Sequence, residues 1–490
     1  MTSFVILQIW KAFFLATLEK IHVQGHHNSY NDSANILPPE VQPDTLVINN
    51  QTYPTDSWTN VPPSILSTLS RRLHLQPSHP ISTTRQLIES RFPNFKPYND
   101  LHPIVSVHQN FDSLGFPPDH PGRNRSDTYY INASTVLRTH TSAHEAEIFG
   151  ANTSDGWLIS ADVYRRDAID RSHYPVFHQM EGARTWDRNA VPHSKSLADV
   201  VWDDFAKLPK HDIEVDDPNP PTHPERNPLQ GFHKTEEAEA VAAHLKRSLE
   251  NVVVEIFEQA RRAAAVAAGE RKGVGEAEEP LKVRWVEAYF PFTSPSWELE
   301  VFWQDDWLEV LGCGVTKQEL LINAGVPERM GWAFGIGLER IAMLLFGIPD
   351  IRLFWSKDPR FLEQFKQDVG EKETGTTAQV GKIVKFQPFS KYPSTPRDVS
   401  FFLPSTSSAA GGRPVFHEND IMEIVRDTAG DSVEDVRLVD EFVHPKTGRK
   451  SLCYRISYRS LERTLKGEEA NEMHEKIRAR LVEGWGVELR

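Results

Sequence analysis

The sequence predicts an α+β chain: an antiparallel sheet flanked by helices, followed by a smaller domain of split β-α-β order. Three observations predict it. Short strands separated by short loops fill the middle of the chain, with period-two alternation in Glu298-Leu-Glu-Val-Phe-Trp. A stretch rich in Gly, Thr, Glu and Lys at 368–383 reads as a linker. Beyond it the order is strand, helix, strand, strand, helix and a short last strand, which is the ferredoxin-like plan.

Residues 1–60 read as a leader or targeting segment. Its apolar part, 4–18, is interrupted by Gln8 and Lys11 and is too short to cross a bilayer. Transit peptides are usually Arg-rich, whereas no Arg precedes Arg71. Residues 61–367 form the first domain. A helix begins near Thr83, which with Gln86 fits a capping box, and Leu87, Ile88 and Phe92 supply its apolar face until Pro93. Residues 104–107 read as a strand. Residues 158–164 and 176–182 read as one antiparallel hairpin, and 209–234 as an exposed loop. A long helix covers 236–264, with Val241, Leu245, Leu249, Val252 and Ile256 at helical spacing. The biased composition of 265–280 marks a mobile insertion. Three strands fall between 283 and 315, and a helix covers 334–346. The second domain, 384–490, carries helices at 418–429 and 467–483 and strands at 433–443 and 451–459.

Composition is that of a globular protein of two or three domains, with 490 residues, 39% of them hydrophobic. Cys313 and Cys453 are far apart and in no C-x-x-C pair, so the sequence supports neither a disulfide framework nor a zinc knuckle. The net charge of −14 argues against a general nucleic-acid binder. From residue 384 onward, however, 17 Lys and Arg balance 17 Asp and Glu, so a local RNA-binding face is compatible with the second domain. No segment reaches transmembrane length, so no membrane partner is expected.

Four stretches carry chemistry: Arg138-Thr-His-Thr-Ser-Ala-His-Glu; Asp162-Val-Tyr-Arg-Arg-Asp with His173-Tyr-Pro-Val-Phe-His-Gln-Met-Glu-Gly; Tyr289-Phe-Pro-Phe with Trp307-Leu-Glu-Val-Leu-Gly-Cys-Gly; and Gly331-Trp-Ala-Phe-Gly-Ile-Gly-Leu-Glu-Arg. Strand alternation sends Arg165 and Arg166 to opposite sides, one toward a cleft and one bracing outside. Gly335 and Gly337 let a ligand approach the backbone. Arg165 and Arg340, from different elements, are what a polyphosphate clamp needs, because guanidinium stays charged and binds phosphate as a fork. Glu309 is the carboxylate placed to hold Mg2+ together with the phosphates. Taken singly, each signal has an ordinary reading: a salt-bridged Arg pair, a weak Gly-x-Gly, a core Phe290-Pro-Phe292, a core His178. Their joint order discriminates.

That order resembles a class II aminoacyl-tRNA synthetase: a helix and strand ending at Pro103, an Arg-bearing hairpin at Arg165, and a Gly-rich strand into a helix from Gly335 to Arg340. Within the class, Gln109-Asn-Phe-Asp-Ser-Leu, Asp119-His-Pro, His140-Thr-Ser, Phe177-His-Gln-Met-Glu-Gly, Tyr289-Phe-Pro-Phe and Gly335-Ile-Gly-Leu-Glu-Arg resemble the phenylalanyl-tRNA synthetase family. Lys391-Tyr-Pro, Arg397-Asp-Val-Ser-Phe and Tyr454-Arg-Ile-Ser-Tyr-Arg-Ser resemble its ferredoxin-fold anticodon-binding domain. Both parts on one chain are similar to the mitochondrial, monomeric form, which implies a matrix location and tRNA(Phe) as partner.

The resemblance implies ATP-dependent ligation of L-phenylalanine to tRNA through phenylalanyl-adenylate, with ATP and Mg2+ as cofactors. Arg165 would clamp the α-phosphate and Arg340 the γ-phosphate. Phe177 would stack on adenine, with His173, His178 and Glu309 also binding ATP. Phenylalanine would meet His140, Ser142, Ala143, His144, Glu145, Gln179, Glu181, Phe290, Phe292, Gly312, Ala333 and Gly335. Two positions depart from the pattern. Glu145 stands where relatives commonly have Gln, and Asp167 where the class often has Glu. Two rival readings are a synthetase-like enzyme for another carboxylate and a catalytically inactive, synthetase-like RNA-binding protein. Phe290-Pro-Phe292 and the C-terminal domain argue against the first; intact Arg165, Arg340 and Glu309 argue against the second.

Overall fold

The computed structural model describes residues 44–267, 280–303, 305–366, 383–388, 393–404 and 416–490. Most of the leader, residues 268–279 of the expected insertion, nearly all of the linker, and Lys391 and Tyr392 lie outside the described residues. Among the described residues no helix is long and apolar enough to cross a membrane.

The helix expected near Thr83, α1 (Pro80–Glu89), starts three residues earlier than that. Pro80 sits in its first turn, where a missing N–H costs nothing and the ring presets φ, and the His79 ring accepts from the Ile81 N–H. Thr83 and Thr84 are therefore buried inside the helix rather than capping it. The expected strand at 104–107 ends at Ser106, which with Gln109 caps a short helix, Val107–Asn110.

Eight strands build the main sheet: β1 (Lys96–Tyr98), β2 (Gly156–Tyr164), β3 (Val176–Asp187), β4 (Glu214–Asp216), β5 (Lys282–Glu287), β6 (Thr293–Trp303), β7 (Asp306–Thr316) and β8 (Arg329–Gly337). Their spatial order is β1-β2-β3-β8-β7-β6-β5-β4. All inner pairings are antiparallel, and only the two edge strands run parallel to their neighbours. The β2–β3 hairpin has Tyr164 opposite Val176, as its sequence predicts. Edge strand β4 falls inside the stretch expected as loop. Its three residues are all exposed, so no buried face marks it in the sequence.

Between β4 and β5 runs the long helix α2 (Thr235–Ala267). Val241, Leu245, Leu249, Val252 and Ile256 are fully buried against one face of the sheet, together with Met180, Phe334, Ile336 and residues of α1. Each such side chain removed from water stabilises the fold by about 1.5–3 kcal/mol. The first four residues of the expected helix at 334–346 are strand. Residues through Gly337 stay in β8, and only Leu338–Phe346 form a helix, α3, closed by Gly347 in the left-handed region at φ 67°. Helical spacing of the apolar residues hid the switch, because Phe334 and Ile336 bury equally well on a strand.

The C-terminal part follows the expected order closely: β9 (Thr395–Phe402), α4 (Glu418–Ala429), β10 (Val433–Val443), β11 (Lys450–Tyr458), α5 (Gly467–Trp485) and β12 (Glu488–Leu489). The sheet order is β10-β11-β9-β12. It packs on the connection between β2 and β3. Arg166, almost wholly buried, lies 3.4 Å from Asp420 and 3.5 Å from Glu423, and the Val436 N–H donates to the Ile169 carbonyl at 3.0 Å. Arg165 and Arg166 do part company as alternation predicts, one toward the sheet and one toward α4.

Candidate active site

One face of the main sheet packs on α1, α2 and α3. On the other, Glu181, Gly335, Gly312 and Glu298 fall opposite one another across β3, β8, β7 and β6. Alternation puts Gln179, Ala333 and Gly337 on this face too. A Cβ added at Gly335 or Gly337 would meet nothing within 4 Å, so the backbone there lies open to a ligand. A Cβ at Gly312 would fall 2.5 Å from the Phe290 ring, so that glycine lets Phe290 lie down on the sheet. Phe290 and Phe292 are 6.3 Å apart and nearly parallel. Phe116 continues the wall, 6.5 Å from Phe292 and stacked 5.6 Å from His140. Ala333 ends the floor among Trp157, Ala161 and Ala183.

The polar end of this aromatic slot is the turn Thr141–His144. The Thr141 and Ser142 hydroxyls donate to Glu181 Oε2 at 2.8 and 2.7 Å, and the Thr141 N–H donates to Gln179 Oε1 at 3.3 Å. Glu145 begins the next helix, Glu145–Ala151, and its carboxyl reaches Glu181. Burial, then the Glu181 charge, push the Glu145 carboxyl well above the ordinary carboxylate range. Burial and the nearby Arg165 push His140 down to about 3, so its ring is neutral.

Arg165 and Arg340 reach the same face from different elements. Arg165 Nε donates to the Thr139 carbonyl at 2.8 Å, and its guanidinium lies 5.1 Å over the Phe177 ring. Arg340 donates to the Glu309 carbonyl at 3.2 Å and lies 3.7 Å from the Glu309 carboxylate. Burial raises Glu309 despite Arg340, and burial with Glu309 and Glu300 pushes Glu298 up to about 7. Crowded carboxyls of this kind favour a cation. Among the described residues, though, no group of three or more His, Cys, Asp or Glu could hold a metal alone. These two carboxylates therefore fit Mg2+ only where phosphate oxygens complete its shell. Burial opposes charge on His173, yet its bond to Asp170 outweighs this and holds it above its ordinary value.

Three expected site residues sit elsewhere. His178, grouped with the ATP-binding residues, is fully buried on the helix-packed face, because alternation turns it away from Phe177 and Gln179. Its N–H and Nδ1 both donate to Glu339, at 2.8 and 2.6 Å. Ala143 packs among Val105, Tyr130 and Val136. His144 Nε2 accepts from buried Arg138 at 3.1 Å; burial and then Arg138 push it down to about 3. These three brace the site from beneath. Four residues on or behind the face were missed: Thr141, Phe116, Glu298 and Glu339. Glu298 had a signal, since it opens the alternating strand that also carries Glu300. Phe116 had none, because it comes from an irregular loop. Asp167 accepts from its own neighbour, the Ala168 N–H, at 2.8 Å.

Residues 66–210 and 271–365 match the family of tRNA synthetases class II core domain (F), and residues 390–490 match the ferredoxin-fold anticodon binding domain. The chain is similar to the mitochondrial phenylalanine–tRNA ligase of Saccharomyces cerevisiae, at 46% identity over 90% of this chain and 94% of that one. It is similar to the Mus musculus mitochondrial enzyme at 41% identity, over 91% of this chain and 89% of the relative. The phenylalanine–tRNA ligase alpha subunit of Laribacter hongkongensis is 33% identical over 59% of this chain and 67% of its own.

Proposed function

The chain belongs to the phenylalanine–tRNA ligase family, and from that premise we propose that the open face of its main sheet is where phenylalanine is activated. It is a mitochondrial ligase of class II that charges tRNA with phenylalanine. The observation that carries the site is the pair of guanidiniums, from separate elements, on a face whose Gly335 and Gly337 backbone is unobstructed.

In this reading the phenylalanine ring enters the slot lined by Phe290, Phe292 and Phe116, over Gly312 and Gly335. Such aromatic pairs contribute about 0.5–1.5 kcal/mol beyond burial. Ser142, Gln179 and Glu181 hold its ammonium and carboxylate. The carboxylate attacks the α-phosphorus of ATP; pyrophosphate leaves, and phenylalanyl-adenylate stays for transfer to the tRNA 3′ end. Arg165 meets the charge that develops on the α-phosphate, and Arg340 holds the γ-phosphate, with Phe177 against adenine. The rate gain comes from positioning and fixed charge rather than from a covalent enzyme intermediate. Mg2+, held by Glu309 and Glu298, would neutralise phosphate charge. We place the division between domains at the 368–383 linker, with catalysis in 61–367 and anticodon binding in 384–490. The working form is read as a monomer of the matrix.

Phenylalanine-dependent ATP–pyrophosphate exchange tests the site. Arg165→Ala and Arg340→Ala should each lose at least about 10²-fold. Exchange that survives both changes would mean that the clamp lies elsewhere.

A further inference from the structure

Glu181 has a reason to be on this face: its Oε2 takes two hydroxyl hydrogen bonds, from Thr141 and Ser142. Glu145 has none of that support. It is 3% exposed, its Oε2 is buried without a hydrogen-bond partner, and Glu181 Oε1 is likewise buried and unpartnered. Two buried carboxyls within hydrogen-bonding reach cannot both be ionised cheaply, because each charge opposes the other in a medium that solvates neither. Among the described residues no cation offsets the charge at Glu145. On its own helix Glu147 is exposed. On the preceding turn, His140 and His144 are neutral at physiological pH. Beneath that turn Arg138 is paired with Asp162. The helix Gln318–Asn323, packed alongside, offers only exposed Glu319.

We propose that Glu145 is a carboxylic acid facing the Glu181 carboxylate in the free enzyme, and that it releases its proton when the ammonium of phenylalanine arrives between them. The inference rests on the reading of this pocket as the amino-acid site. The balance is simple. A carboxylic acid, a carboxylate and an ammonium become two carboxylates flanking one ammonium, and the proton goes to solvent. A Gln at position 145 would have no proton to give, so the coupling belongs to the acid found here. Because the free enzyme binds the proton more tightly than the complex does, affinity for phenylalanine rises with pH wherever the free pair is protonated.

The test is calorimetric titration of L-phenylalanine into the full chain, without ATP, in phosphate, HEPES and Tris at one pH near neutrality. The dependence of observed heat on buffer ionisation heat counts protons released. The wild type should release about 0.5–1 proton, and its affinity should rise by up to about 10-fold per unit between pH 6 and 8. Glu145→Gln should release close to none and show flat affinity. Equal release from both proteins, or a flat wild type, overturns the proposal. If Glu145→Gln does not fold, the wild-type slope alone decides. Ser142→Ala and Phe290→Ala separate this from the pocket assignment. Undiminished binding in both rejects the pocket itself, whereas weakened binding with no proton released rejects only the protonated Glu145.

Discussion

At the scale of single residues, two glycines of the floor predict the same loss from different causes. An alanine Cβ at 312 would collide with Phe290, whose ring must then rise into the slot. Overpacking of this kind costs about 1–3 kcal/mol, so Gly312→Ala should raise the phenylalanine KM about 10-fold while leaving the KM for ATP nearly alone. At 335 the same methyl meets nothing within 4 Å in the protein. Gly335→Ala should therefore melt like the wild type and still bind phenylalanine poorly; a normal KM would mean that the ring does not lie there. Glu298 supplies a pH prediction. Held up at about 7, it is a carboxylate above that pH and an acid below it, and only the carboxylate binds a cation. The Mg2+ needed for half-maximal pyrophosphate exchange should rise about 10-fold from pH 8 to pH 6, and Glu298→Gln should flatten that dependence. Much of this site was legible, because Arg165, Arg340, Phe290, Phe292, Ser142 and Glu181 lie in dense, ordered motifs. His178, Ala143 and His144 lie in the same motifs and face away. Motif membership identifies a segment, whereas the side of the sheet is set by pairing register, which a list of residues does not contain.

Elements explain why the site holds its shape. Phe177 and His178 are neighbours on β3, and Glu339 and Arg340 are neighbours at the start of α3. The His178–Glu339 pair thus ties the strand bearing Phe177 to the helix bearing Arg340. The connection after β2 is fastened in the same manner from outside, by Arg166 on Asp420 and Glu423 of α4. Removing Arg166 leaves the nearly buried Asp420 carboxylate without its counter-ion, while Glu423 keeps only Arg426, at 3.0 Å. Arg166→Ala should cost about 3 kcal/mol in urea unfolding, far more than an exposed pair would; a loss below about 1 kcal/mol would show that the three charges do not act together. Sequence patterns found these elements where burial is one-sided, as in α2 and the two C-terminal helices. They failed where it is not. Strand β4 buries nothing. The end of β8 buries alternate residues that also fit a helix. The start of α1 was set by Pro80 and a His79 cap rather than by the Ser and Thr that usually signal one.

For the whole molecule the open question is how a chain of net charge −14 holds a polyanion. Long-range attraction does not recruit tRNA to such a body, so affinity has to come from a local surface. In the C-terminal sheet, Val399, Phe401, Tyr454, Ile456 and Tyr458 turn toward α4 and α5. Alternation sends Arg437, Asp398 and Arg455 to the face without helices. There Arg455 is paired with Asp398 at 2.7 Å, while the Arg437 side chain is 61% exposed and only 3.8 Å from Asp435. Arg437 is therefore an exposed, weakly paired cation that a phosphate could engage. Arg437→Ala should raise the tRNA KM in aminoacylation at every salt concentration and lower the slope of log KM against log salt by about 1. Pyrophosphate exchange, which needs no tRNA, should be untouched by the same change. A slope that does not move would remove the helix-free face from the tRNA-binding surface and leave the loops at its edges to carry the contact.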